Sequence, residues 1–374
     1  MISREQIQQL IEREADRAGV LSVFLDMSVN SNNKRTHHIF LAKEKAAFAE
    51  LDSDREGHHN EAIGAAFARL ERWLDSEYDE SKKGIAFFTA LDGDWQQGHQ
   101  VSVPLPNRVQ VSKRPIVSPL VEVVERYHHH GVVLVDREHL RLLSVFIDQT
   151  LNEKEVTTEP YPAAHDVQRG GFSSKNFQKR KEEETRHFFK EFGQEVEDFV
   201  RRYRPEDLIL LGTTENVKKF REFLPDAIDR MVAHTDRMEI DATASEVRQK
   251  LAPLFEARIQ EEEARAVDLL RDRVRESHLA VAGLDNTLEQ LQGGKLQTLV
   301  IGRGLSQQGG RCEQCRFVLA RTTGTCPYCG GNVRDSLDLG EELVRIAEDQ
   351  SVHIDFVEPS TLGDLGGVGG LLRF

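Results

Sequence analysis

Apolar residues recur along the chain with two periods, and the changes from one period to the other mark out its elements. VLSVFLDMS (20–28) and GIAFFTAL (84–91) are short, nearly continuous apolar runs, read as buried strands. Between them Ile63, Phe67, Leu70 and Leu74 keep the three-four spacing of a helix over 61–77, and VSVPLP and RVQVSKRP follow as shorter segments. GVVLVDREHLRLLSVF (131–146) is two apolar runs around the polar tip Asp136-Arg137-Glu138-His139, the pattern of a β-hairpin. Phe189, Phe192, Val196, Phe199 and Val200 give a long helix; DLILLG (207–212) is a buried strand. Thr213 or Thr214 can then cap a helix carrying Val217, Phe220 and Leu224. Strand, glycine, capped helix is a βα unit of a mostly parallel sheet.

Residues 226–280 are charged and read as helical, with EEEARAVDLLRDRVRE as a solvated face. Beyond them come a helix over 285–291 stopped by Gly293-Gly294, the strand LQTLVIG (296–302), a helix beginning near Glu341 and a strand over 352–357. The tail GDLGGVGGLLRF is too rich in glycine for a helix. A chain of 374 residues exceeds one typical core. The expected architecture is α/β in three domains: an N-terminal α/β domain (1–128), a middle domain with a mixed sheet (129–268) and a C-terminal α/β domain (269–374).

No apolar run approaches the length a membrane helix needs, and the polar, helix-periodic first residues do not resemble a signal peptide, so a cytoplasmic protein is expected. The net charge of -14 argues against a general nucleic-acid coat, because the field of the whole molecule repels phosphate; any polyanion contact must be local. The four cysteines form Cys312-x-x-Cys315 and Cys326-x-x-Cys329. Each pair can make a tight knuckle, and two knuckles complete a tetrahedral thiolate shell that suits zinc. A closed shell leaves no open position, so the expected metal is structural, holding a ribbon inserted in the C-terminal domain. His128-His129-His130 is a weak metal candidate, since neighbouring side chains on a strand point to alternate faces. No phosphate-binding G-x-x-x-x-G-K-[ST] occurs.

The local polyanion site is QRGGFSSKNFQKRKEEE (168–184). Two glycines precede a helix that Ser173 or Ser174 can cap, and Arg169, Lys175, Lys179, Arg180 and Lys181 put five cations there with no acid between them. Ser173 and His187 as nucleophile and base are set aside: fourteen residues along a helix separate them by about 20 Å.

RGGxS opening a basic helix, a C-x-x-C ribbon after it and a GGxGGLLRF terminus, in that order, resemble the archaeo-eukaryotic class-one release factor and Pelota superfamily, including its bacterial members. The resemblance runs from about 131 to 374. In release factors of that superfamily the loop reads Gly-Gly-Gln-Ser, and the glutamine promotes peptidyl-tRNA hydrolysis in the peptidyl-transferase centre. The matching positions here are Gly170, Gly171, Phe172 and Ser173, and phenylalanine has no amide to hold a water. The first domain has no cysteine and, in place of the stop-codon-reading Asn-Ile-Lys-Ser loop, only Asn32-Asn33-Lys34-Arg35. The likeness is therefore to Pelota-like proteins and the bacterial hibernation factors, which implies a factor in the A site of idle or stalled ribosomes, serving a stress response without peptidyl-tRNA hydrolysis. The alternative it leaves is a release or rescue factor that hydrolyses peptidyl-tRNA or cleaves tRNA. Implied ribosomal RNA contacts are Arg169, Gly170, Gly171, Phe172, Ser173, Lys175, Lys179, Arg180 and Lys181, with Phe172 free to stack on a base. The implied partners are the ribosome and elongation factor Tu or another translation GTPase; the implied cofactor is zinc on Cys312, Cys315, Cys326 and Cys329.

Overall fold

The computed structural model describes residues 2, 4–14, 19–30, 34–51, 58–146, 149–157 and 174–374. They form two compact units, one of residues 1–126 with 257–374 and one of residues 127–256. In the first stretch, α1 (Arg4–Ile11) precedes β1 (Val20–Asp26), α2 (His37–Leu51), α3 (His58–Glu77), β2 (Gly84–Ala90), β3 (Gln96–Val101), β4 (Arg108–Ser112) and α4 (Ser118–Arg126). The strands make an antiparallel sheet in the order β3-β2-β1-β4. Alternate residues Leu21, Val23, Leu25, Ile85 and Phe87 bury one face against Ile63, Phe67 and Leu70 of α3, the period-2 and period-3.6 patterns meeting as the sequence implies.

The unit 127–256 is built on β5 (His129–Val135), β6 (His139–Phe146), β7 (Gln149–Thr157), α5 (Ser174–Tyr203), β8 (Asp207–Gly212), α6 (Thr214–Arg221), α7 (Asp226–Asp229), β9 (Val232–Asp236) and the first turns of α8 (Ala244–Arg275). Its sheet, ordered β7-β6-β5-β8-β9, is mixed: β5 pairs antiparallel with β6 and parallel with β8. Asp136 closes the hairpin by accepting the N–H groups of Glu138 and His139 at 2.7 and 2.6 Å. Val133, Leu142, Leu208 and Leu210 face Phe189, Phe192 and Val196 of α5 and Phe220 of α6. Val132, Leu143, Ile209 and Leu211 face Val247 and Leu251 of α8. A sheet covered on both faces explains why its central strands read as unbroken apolar runs. Thr213 is the N-cap of α6, its hydroxyl accepting from Asn216 N at 3.2 Å. The stretch 226–280 is not all helix, because β9 intervenes, parallel to β8. VAHTD at a sheet edge is held by backbone pairing and shows almost no apolar period.

The remainder of the first unit has β10 (Ala280–Ala282), α9 (Leu284–Gln292), β11 (Leu296–Gly302), the ribbon strands β12 (Gln308–Cys312), β13 (Val318–Leu319), β14 (Gly324–Thr325) and β15 (Asn332–Asp338), then α10 (Leu339–Asp349), β16 (His353–Val357) and β17 (Val368–Leu372). Two four-stranded sheets result, β10-β17-β11-β16 and β13-β12-β15-β14. The glycine-rich tail forms no α-helix: its first residues close a 3-10 helix over Pro359–Leu365, and the rest supplies an inner strand, β17. Glycine spares a clash there: a Cβ on Gly370 would stand 1.8 Å from a methyl of buried Leu296, which would have to move. The expected boundary at 268 falls within α8, and the stretches expected as first and third domains share one unit. Within that unit Glu341 of α10 accepts the N–H groups of Val117 and Ser118 at 2.7 and 3.0 Å, capping α4 with a carboxylate. Arg345, one turn along and 4% exposed, donates to the carbonyls of Ile11 and Pro115.

Candidate functional site

The cysteine ribbon is formed by two hairpin knuckles of the same construction. In the first, Arg316 N donates to Cys312 O at 3.0 Å and Cys312 N to Phe317 O at 2.9 Å; in the second, Gly330 N donates to Cys326 O at 3.0 Å and Cys326 N to Gly331 O at 2.7 Å. The turn residues share left-handed backbone, φ 65° at Arg316 and 75° at Gly330. Cys312 Sγ lies 3.4 Å from Cys329 Sγ, Cys315 Sγ lies 3.6 Å from Cys326 Sγ, and all four sulfurs fall within 4.8 Å of one another. A tetrahedral zinc with bonds of about 2.3 Å needs sulfurs about 3.8 Å apart, so the donor set fits one such ion.

The thiols divide as crowded sulfurs must without a cation. The Cys315 N–H holds Cys312 down at about 6. Cys315 receives the Phe317 N–H, which favours its thiolate, yet desolvation and the other three sulfurs push it up to about 12. A divalent ion removes that conflict by letting all four ionise. Among the described residues these cysteines are the one cluster of metal-ligating side chains.

The basic segment opens the middle sheet's long helix. Arg169, Gly170, Gly171, Phe172 and Ser173 lie outside the described residues, and Ser174 is the first residue of α5. Lys175, Lys179, Arg180 and Lys181 occupy its first eight positions. Farther along, Phe188, Phe189, Phe192, Val196 and Phe199 anchor the helix on the sheet. The basic run is thus the N-terminal extension of a helix whose other end is fixed in the core. His187 of α5 pairs with Glu191 at 3.2 Å.

The histidine triplet does not converge. His128 Nδ1 pairs with Glu206, His129 Nε2 meets Ser144 Oγ at 2.6 Å, and buried His130 Nδ1 meets Asp207 at 2.6 Å while its ring stacks on Phe255 at 4.2 Å. Burial, then neighbouring His130, keeps His129 below its ordinary pKa. The three rings therefore bind β5 to separate neighbours.

Residues 115–256 match the family model of bacterial archaeo-eukaryotic release factor family 10. The match is confined to that stretch, which resembles a bacterial family of archaeo-eukaryotic release factors. It takes in the whole unit 127–256, α5 included. Among solved structures, the archaeal translation termination factor aRF1 is 17% identical, covering 100% of this chain and 99% of that one with a TM-score of 0.26. A ribosome-bound archaeal Pelota is 17% identical over 74% of this chain and 72% of that one, TM-score 0.42. Pelota of Archaeoglobus fulgidus is 13% identical over 78% and 79%, TM-score 0.33. No curated protein matches. No helix among the described residues is long and apolar enough to cross a membrane.

Sequence reasoning missed the Glu341–Arg345 join and a second lock, in which the Gln292 side-chain amide donates to Val318 O at 3.0 Å and accepts from Val318 N at 2.8 Å. Both are polar residues without periodicity, and no pattern in the chain marks their partners.

Proposed function

We propose that this protein is a ribosome-binding translation factor that occupies the A site of idle or stalled ribosomes and acts there by binding, without hydrolysing peptidyl-tRNA. The release-factor family match over 115–256 carries the reading. In it, Arg169 to Lys181 meet ribosomal RNA in the peptidyl-transferase centre. Gly170 and Gly171 permit close approach, Phe172 stacks on a base or fills an apolar cleft, and the five cations engage phosphate. Phe172 stands where release factors of the superfamily carry their glutamine, which supports protection over hydrolysis. The 1–128 stretch approaches the decoding centre. The ribbon, with zinc on Cys312, Cys315, Cys326 and Cys329, forms part of the surface offered to the stalk base or to a translation GTPase such as elongation factor Tu.

The test is co-sedimentation with vacant 70S ribosomes, comparing the native protein with a variant carrying Ala at 169, 175, 179, 180 and 181. Pelleting that depends on those residues is expected, with no peptide released from ribosomes charged with peptidyl-tRNA. Absence of pelleting, even with elongation factor Tu added, would overturn the ribosome reading. Peptide release or tRNA cleavage that survives in Phe172→Ala but is lost in Ser173→Ala, Asn176→Ala or Gln178→Ala would replace it with a rescue enzyme.

A further inference from the structure

A groove of about 330 Å³ runs between α9 and the cysteine ribbon. Its lining mixes polar and apolar groups: Leu288 of α9 lies buried beneath it, and Phe317 of the ribbon is half-buried in its wall. The ring of Tyr328 lies 4.2 Å from that of Phe317 and stays 50% exposed, so an aromatic surface is left open at the lip. Asp285 and Glu289 form the helix-side rim and are both exposed. Placed four residues apart, they are neighbours on one helix face, where two like charges disfavour the helix. Asp285 is offset by its place in the first turn, where the helix dipole favours an anion; Glu289 lies beyond that reach. Among the described residues neither acid has an ion pair. On the ribbon side the rim carries a single cation, Arg321.

We infer that this groove docks an amphipathic segment of a partner protein, which lays an aliphatic or aromatic side chain against Phe317 and Tyr328 and sets a lysine or arginine against Asp285 and Glu289. The acid pair selects the class of partner. A nucleic-acid strand could stack on Tyr328, but it would bring phosphate against two carboxylates; a basic side chain removes their repulsion. The walls are held in place before the partner arrives. The Gln292 amide locks α9 to the backbone of Val318, and Tyr328 sits between the ligand-forming Cys326 and Cys329.

The test titrates the full zinc-loaded chain with a fluorescein-labelled amphipathic Leu/Lys helical peptide. A scrambled peptide of the same composition, a Leu/Glu analogue and a single-stranded oligouridine serve as comparisons. Binding of the Leu/Lys helix alone is expected, with amide-exchange protection confined to 285–292 and 317–328. Asp285→Lys with Glu289→Lys should weaken it at least tenfold. The same reversal at exposed Glu239 and Asp241 should leave it unchanged, separating the groove from the general acidity of the chain. If the lysines disturb α9, Asp285→Asn with Glu289→Gln keeps the shape and should still weaken binding. Failure of the Leu/Lys helix to bind, equal binding of the scrambled peptide, indifference to the groove substitutions, or displacement by oligouridine would each overturn the proposal.

Discussion

Glu341 and Arg345 stand one helical turn apart on α10, and between them they hold α1, α4 and α10 in one unit. Their side chains are 6% and 5% exposed and 3.4 Å apart. A buried guanidinium is tolerable because the Ile11 and Pro115 carbonyls and the Glu341 carboxylate receive N–H groups of its two terminal nitrogens, though not that of Nε; removing one partner strands the others. Arg345→Met should therefore destabilise the unit by about 3–5 kcal/mol, the cost of breaking a buried pair. Adding Glu341→Gln should recover part of the loss, since the neutral amide keeps one acceptor for the α4 N-terminus and leaves no unpaired charge. Tryptophan fluorescence in urea is the natural readout, because both tryptophans, Trp73 and Trp95, lie in residues 1–126. An additive double mutant would show that the two side chains do not act as a pair.

At the level of elements, legibility followed periodicity. β5, β6 and β8 announce themselves because a sheet covered on both faces demands continuous apolar strands, and α5 because Phe189, Phe192, Val196 and Phe199 keep helical spacing. β9 and β17 are held by backbone pairing and by the small size of glycine, neither of which leaves a hydrophobic signature. The ribbon was legible for a different reason: ligand spacing is a covalent-scale constraint, so four cysteines in two C-x-x-C pairs specify the knuckles before any packing is known. Its core is small, with Cys312, Leu319, Cys326 and Val333 buried and Phe317 against them. With so little apolar surface, the ribbon is expected to depend on the zinc proposed at its four cysteines. The purified chain should carry about one zinc. Chelation should raise amide exchange across 308–338 while leaving exchange in β11, β16 and β17 nearly unchanged, and Cys315→Ser should mimic chelation. Uniform protection after the metal is removed would show that the ribbon is held by packing alone.

Across the whole molecule, electrostatics sets two demands in opposition. A net charge of -14 repels polyanions at long range, while the proposed ribosome contact rests on five cations between 169 and 181. Binding through that place must release counterions from RNA, one for nearly every phosphate neutralised, with a logarithmic salt slope of about -0.7 to -0.9 per contact. Five contacts then give a slope of about -3.5 to -4.5 in log Kd-derived affinity against log salt. The acids Glu182 to Glu184 that follow on the same helix weaken the local field without changing this count of phosphate contacts, and exposed charges more than about 8–10 Å away are largely screened at ordinary ionic strength. Ribosome affinity measured by sedimentation over a series of potassium concentrations should show that slope for the native protein. The variant with five alanines should show a slope near zero along with its weaker binding. A steep slope that survives the five substitutions would put the phosphate contacts on another surface, and a flat slope in the native protein would leave the basic helix as solvated surface.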